Sequence, residues 1–206
     1  MVDSMKKIIF DVGANHGIDS IPRAQEDIEN TIVYAFEPTP FLIDVLKHKA
    51  SSLSNYIIVE KAVSDFNGTA KFNVAGNDDW GCSSLLEFSE QSFVQWPGRT
   101  DFSVTDIIEV EVIRLDNFIS QHNISQIDYL HIDTQGSDLK VLHGLGQYID
   151  LVKEGLMEAA YKKDILYKNQ NTVEDSVEFL KQHGFSITAI TSNDIFNNEA
   201  NIRFVR

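Results

Sequence analysis

The chain predicts an α/β fold built on a doubly wound, mostly parallel sheet with an antiparallel finish. Three observations carry this. The apolar, β-branched run Ile8-Ile9-Phe10-Asp11-Val12 breaks into a small-residue turn, Gly13-Ala14-Asn15-His16-Gly17, with helix-compatible sequence behind it. Strand-like and helix-like segments then alternate along the chain. Two strand-like segments around a turn close it.

Taken in order, the first run has no polar alternation, as in a strand buried on both faces. Gly13 and Gly17 let the backbone turn sharply and approach a ligand, because no Cβ stands in the way. The segment Ile18 to Ile28 is helix-compatible, and its free N–H groups would point into the gap. Thr31 to Phe36 is a second buried strand, stopped by Glu37-Pro38. Phe41 to Leu53 has helical spacing, and Pro40 suits its first turn. Tyr56 to Val59 is a third strand, followed by Ala62-Val63-Ser64-Asp65. Phe66-Asn67-Gly68-Thr69 reads as a hairpin-type turn into Ala70 to Val74, an antiparallel excursion.

Residues 75–105 differ in texture: Gly76, Asn77, Asp78, Asp79, Pro97 and Gly98 mix with Trp80, Phe88, Phe93, Trp96 and Phe102. A loop this long in a compact domain is usually a lid or binding loop, and its aromatics argue against disorder. Strands follow at Ile107 to Ile113, Ile127 to Asp133 and Val152 to Ala160, with helices at Leu115 to His122 and Leu139 to Leu145. Thr172 to His183 is an amphipathic helix ended by Gly184. Phe185 to Thr191 and Asn201 to Val205 are the closing strands.

The 206 residues are most simply one domain, and no internal repeat or dividing linker interrupts them. A lone cysteine, Cys82, permits no intrachain disulfide and fits a reducing compartment. The apolar run behind Met1 to Lys7 meets Asp11 too soon for a signal peptide, and no uncharged run is long enough for a bilayer, so a cytoplasmic protein with no membrane partner is expected. A net charge of −14 opposes binding a phosphate backbone, which disfavours nucleic acid as a partner.

Glu37, just past the second strand, can accept hydrogen bonds from both ribose hydroxyls of a nucleoside ligand; otherwise it is a solvated carboxylate beside Pro38. Asp65 can take the exocyclic amine of adenine with Ser64 beside it, or simply initiate the turn at Asn67-Gly68. Asp11 orients the glycine turn, or meets a cationic group of the ligand. The turn is not G-x-G-x-x-G, no P-loop exists, and no Tyr stands four residues before a Lys. A nicotinamide dinucleotide is thereby less supported.

In this order, the segments Phe10-Asp11-Val12-Gly13-Ala14-Asn15-His16-Gly17, Phe36-Glu37-Pro38, Ala62-Val63-Ser64-Asp65, Ser83-Ser84-Leu85, Leu115-Asp116 and 132–138 (Ile-Asp-Thr-Gln-Gly-Ser-Asp) resemble the FkbM-type methyltransferases. The resemblance runs through nearly the whole chain. It implies a class I methyltransferase domain over residues 1–206, a seven-stranded Rossmann-like sheet with an antiparallel last strand, and S-adenosylmethionine as cofactor. It further implies methylation of a hydroxyl on a small molecule or sugar. By resemblance Asp11, Gly13, Asn15 and Gly17 line the methionine and ribose side, Glu37 holds the ribose, and Ser64 and Asp65 hold the adenine. One departure stands out. Where such proteins commonly show Asp-x-Glu-Gly-x-Glu, this chain has Asp133-Thr134-Gln135-Gly136-Ser137-Asp138. Glutamine keeps the hydrogen-bonding shape and loses the charge.

Methyl transfer to oxygen needs the hydroxyl held about 3 to 3.5 Å from the methyl carbon, with a base within reach. Asp133, at the end of a central strand, is the first candidate, with Glu158 on the next strand completing an acidic floor. His131 lies on the same strand face one pleat deeper, where a satisfied core histidine is the competing reading. On the substrate side, His16 sits at the mouth of the turn, and Trp80 and Ser83 sit in the long insertion; Trp80 either stacks on the acceptor or anchors the loop. Converging carboxylates can also hold a divalent metal, but no His or Cys at metal spacing accompanies them, so metal is not favoured. A non-catalytic cofactor-binding protein of the same fold is the alternative, motivated by Gln135. The acceptor and the oligomeric state are not legible.

Overall fold

Ile9, Phe10, Val12, Val33, Ala35, Phe36, Leu130 and Ile132 are at most 1% exposed, as expected for strands covered on both faces. They come from three neighbouring strands of a seven-stranded sheet in a computed structural model that describes residues 6–76, 80–99 and 101–206. The sheet contains β1 (Lys7–Val12), β2 (Thr31–Phe36), β3 (Tyr56–Val59), β7 (Tyr129–Ile132), β8 (Glu154–Ala160), β9 (Ser186–Ser192) and β10 (Glu199–Val205), in the order β3-β2-β1-β7-β8-β10-β9. All neighbours are parallel except that β10 runs antiparallel to both β8 and β9. The antiparallel last strand is thus present, one position in from the edge.

Between β1 and β7 the order of the strands reverses. A crevice opens outside their carboxyl ends at such a point, because the connections leave in opposite directions. Helices α1 (Ser20–Glu26), α2 (Pro40–Lys49), α4 (Leu115–His122), α5 (Asp138–Gly144) and α6 (Val173–Gln182) complete the α/β layers. One core layer gathers Phe10, Phe36, Phe118, Leu130 and Leu180; the other holds Ile9, Val33, Leu46 and Tyr56.

Several expected bounds shift. The first helix starts at Ser20 rather than Ile18, because Gly17 is still in the turn and its carbonyl accepts the Ile21 N–H. The second helix stops at Lys49, and Leu53 drops into the core beyond it. The turn at 66–69 does not close a hairpin between its flanking segments. Instead β4 (Ala62–Val63), β6 (Val104–Ile113) and β5 (Gly68–Ala75) form a second sheet, in the order β4-β6-β5. The long insertion hangs from this sheet. It contains a 3-10 turn at Trp80–Cys82 and the short helix α3 (Ser92–Gln95). Trp96 and Phe102 are buried with Ile165, Leu166 and Tyr167, so the insertion is anchored on the β8–α6 connection. Asn77, Asp78 and Asp79 lie outside the described residues.

Candidate functional site

The turn after β1 is shaped by close approach. Gly13 has φ +85°, and a Cβ there would lie 1.9 Å from the Asp133 carbonyl oxygen, so only glycine lets the two loops meet. The Gly13 and Ala14 N–H groups both reach the Phe36 carbonyl. Asn15 donates its N–H to Glu37 Oε2 (2.9 Å), and Thr39 donates its N–H to Glu37 Oε1 (2.9 Å). Glu37 therefore ties the ends of β1 and β2 together, while each oxygen keeps a lone pair for a ligand hydroxyl. Burial raises its pKa, and these backbone N–H groups pull it back. Gly17 also has positive φ, but a Cβ there would strike Ile21 and Leu46. Its role is packing of the turn onto α2.

Gly13, Asn15, Glu37, Trp80, Ser83 and Asp133 border one cleft. Ser64 and Asp65, expected on its adenine side, are not among its walls. The Ser64 hydroxyl is turned to Asp65 Oδ1 (3.2 Å), and Asp65 is exposed. Lys61, Ala62 and Phe72 line that side instead, because β4 leads the chain off into the second sheet.

Asp11 and His131 form a buried pair: His131 Nδ1 lies 2.8 Å from Asp11 Oδ1. Burial disfavours the imidazolium, but the hydrogen bond and charge of Asp11, with Asp19 and Asp133 beyond, raise its pKa to about 9. His131 lines neither cleft of the site, and its Nδ1 is turned to Asp11. This contact is that of a core histidine satisfied by a neighbour.

Beyond the first cleft lies a second, walled by Trp96, Phe102, Glu158, Asn193 and Glu199. Asn15, Gly81, Asp133 and Gln135 border both. At this junction Gln135 donates from Nε2 to Asp133 Oδ1 (2.6 Å) and Glu158 Oε2 (3.3 Å). Asn193 donates to the other Glu158 oxygen. Burial raises the Asp133 pKa, opposed by the Gln135 hydrogen bond and the His131 charge. Burial and the neighbouring Asp133 and Glu199 carboxylates push Glu158 well up. Burial and Asp194 raise Glu199 to about 8, and burial with Asp133 raises Asp138 to about 7.

Of the substrate-side candidates, Trp80 stands at the first cleft against Phe41, with ring centroids 4.7 Å apart. The Ser83 hydroxyl accepts the Ala75 N–H (2.9 Å) and so holds the insertion in place. His16 lies 6.5 Å from the Trp80 ring and borders neither cleft. Asn193, Glu199 and Tyr167 were missed by sequence reading. Asn193 and Tyr167 lie in connections and Glu199 opens β10, all far along the chain and with no local pattern to mark them.

The residues present suit an adenosyl sulfonium cofactor. Asn15, which borders both clefts, has a buried Oδ1 without a partner, where a donor-bearing cationic ligand would satisfy it. Among the described residues, no group of three or more His, Cys, Asp or Glu is arranged to hold a metal ion, and no helix is long and apolar enough to cross a membrane.

A family model described as the methyltransferase FkbM domain matches residues 11–187. The chain is 26% identical over 185 residues to the 2-O-methyltransferase NoeI of Sinorhizobium fredii, covering 82% of this chain and 69% of that protein. It is 25% identical over 199 residues to the methyltransferase sdnD of Sordaria araneosa, covering 87% of this chain and 74% of that protein. The crystal structure of methyltransferase FkbM from Methylobacillus flagellatus superposes with a TM-score of 0.60 at 12% identity, covering 97% of this chain. This chain spans only 43% of that protein's length. Aeropyrum pernix fibrillarin, solved with natively bound S-adenosyl-L-methionine, superposes with a TM-score of 0.51 at 12% identity, covering 97% of this chain and 66% of that one. These two likenesses are of fold.

Proposed function

The chain belongs to the FkbM methyltransferase family, and from that premise we propose that it is an S-adenosylmethionine-dependent O-methyltransferase acting on a hydroxyl of a small molecule, sugar or glycan. The observation that carries the reading is the junction of two clefts at Asp133, one bordered by the glycine turn and Glu37, the other by Glu158 and Glu199. Bound in the first cleft, S-adenosylmethionine supplies an electrophilic methyl group on a sulfonium. Glu37 would hold the ribose hydroxyls, and Asn15 and Asp11 the polar end of the methionine portion. The name of one relative, the 2-O-methyltransferase NoeI, supports transfer to oxygen.

The second cleft then receives the acceptor. A hydroxyl becomes a good nucleophile as its proton passes to a base, and Asp133, which borders both clefts, is placed to take it. Glu158 completes the acidic wall of the second cleft beside Asp133. Trp80 would cover the first cleft and exclude water.

Calorimetry with S-adenosylhomocysteine together with a tritiated-methyl assay on a pool of hydroxylated metabolites tests this. Binding and label transfer are expected. Gln135, neutral where its resemblance group carries an acid, favours a second reading in which the chain binds the cofactor without turnover; binding with no transfer across a broad pool would select it. Quenching of NADH fluorescence by the protein would instead favour an oxidoreductase.

A further inference from the structure

We propose that Tyr167 is a positioning residue: it fixes the orientation of the Gln135 amide so that this one amide bridges Asp133 and Glu158 at the junction of the two clefts. The significance for catalysis rests on the methyl-transfer reading above; the bridge itself does not.

An amide has an acceptor end and a donor end, and they are not interchangeable here. Gln135 Oε1 lies 2.8 Å from the Tyr167 hydroxyl. Burial pushes the Tyr167 pKa far up, so the phenol stays neutral and can donate. With Oε1 turned toward it, both N–H bonds of Gln135 face carboxylates, at 2.6 Å for Asp133 and 3.3 Å for Glu158. Rotating the amide by half a turn would set its oxygen against two carboxylates, exchanging two charge-assisted hydrogen bonds for repulsion.

Tyr167 is in turn held from several sides. It is 1% exposed, its ring is stacked on Phe88 at 5.1 Å, and its N–H goes to Gln170 Oε1 (2.6 Å). Its hydroxyl also lies 2.8 Å from the Cys82 carbonyl, so its single proton is shared between that oxygen and Gln135 Oε1, and the link ties it to the insertion. Room for the ring exists because residue 136 is glycine; a Cβ there would come within 2.9 Å of Tyr167 Cδ2. The Gln135 carbonyl accepts the Ser84 hydroxyl (2.7 Å), so both ends of the residue are pinned.

Two nearby carboxylates ordinarily hold one shared proton. A neutral amide that gives one N–H to each bridges them without a shared proton, and its hydrogen bond lowers the Asp133 pKa against the burial that raises it. A glutamate at position 135 would add a third acid to the group and need a proton itself. The charged groups facing the pair are Asp11, Asp19 and His131 beside Asp133, and Asp138 and Glu199 beside Glu158. Asp194 and Arg99 border the same cleft. All of these are unchanged in the variants below, so a difference between variants reports on Gln135.

The test is carboxyl ¹³C NMR titration of the cofactor-free chain labelled at Asp and Glu, with Asp133→Asn and Glu158→Gln used for assignment. Tyr167→Phe keeps the ring and removes the hydroxyl. Gln135→Met, at a half-buried position, removes the donors and serves if the first variant does not fold. In both, the midpoint of the Asp133–Glu158 pair is expected to rise by about one pH unit or more. A purely structural Tyr167 would lower the melting temperature and leave that midpoint where it is. Unmoved midpoints in both variants overturn the proposal, and a shift in Gln135→Met alone, with Tyr167→Phe folded, removes Tyr167 from it. Binding of S-adenosylhomocysteine to the wild-type chain is measured separately: its absence would sink the cofactor reading while the titrations still decide the bridge.

Discussion

Glu37 does two things with one carboxylate: it accepts the backbone N–H groups of Asn15 and Thr39, and it borders the first cleft. Glu37→Ala is therefore expected to weaken S-adenosylhomocysteine binding by about 1.5 to 3 kcal/mol, the range for charged hydrogen bonds. Calorimetry checks this, and unchanged affinity would displace the ribose assignment. At His131 the expected effect is on stability. Its folded pKa of about 9 lies above the ordinary 6.5. The stabilisation from the Asp11 pair is thus fully present below pH 6.5 and disappears as pH rises through 9. Urea unfolding across that window is expected to show a loss on the order of 1 to 3 kcal/mol, flattened in His131→Gln. Neither residue's partner is visible locally, since Asp11 and His131 are neighbours only through the parallel register of β1 and β7.

At the scale of elements, α6 carries a complete capping box. The Thr172 hydroxyl accepts the Asp175 N–H, and the Asp175 carboxylate accepts the Thr172 N–H. Thr172 also bridges Ala160 at the end of β8, so the cap fixes where the helix leaves the sheet. Thr172→Ala is expected to cost about 0.5 to 2 kcal/mol, read as a lowered melting temperature. The bounds of β2, β3 and α4 follow from residue order alone, because uninterrupted apolar runs and helical spacing are local signals. The second sheet does not. Phe66 to Thr69 has the composition of a hairpin turn, yet β5 takes β6, more than thirty residues on, as its partner. The choice depends on which strand edge is available in space, and no turn residue records it. The displaced cleft wall at Lys61 and Ala62 follows from the same pairing.

For the molecule as a whole, the net charge is −14, and four of its acids, Asp133, Glu158, Asp194 and Glu199, border the second cleft. Asp138 and Glu199, raised to about 7 and about 8 from 3.8 and 4.5, favour the folded chain below their ordinary values and cease to do so as pH rises through the raised ones. The sign is the same as for His131. The cofactor-free protein is expected to melt at a higher temperature at pH 6 than at pH 9, with added salt recovering part of the difference by screening. A scanning fluorimetry series in pH and sodium chloride would show it, and a melting temperature rising toward pH 9 would contradict it.

From the sequence by itself came the α/β class, the buried parallel strands, the glycine turn and the acidic residue after β2, together with the ordered motifs shared with the FkbM family. Each is written in local pattern: period, run length, or a residue type that the backbone itself requires. Only the tertiary structure decided that His131 pairs with Asp11, that Lys61, Ala62 and Phe72 rather than Ser64 and Asp65 line the first cleft, and that Gln135 bridges two carboxylates under Tyr167. These are facts about contact between residues far apart in the chain. Burial and neighbouring charge determine them, and both exist only once the sheet has closed.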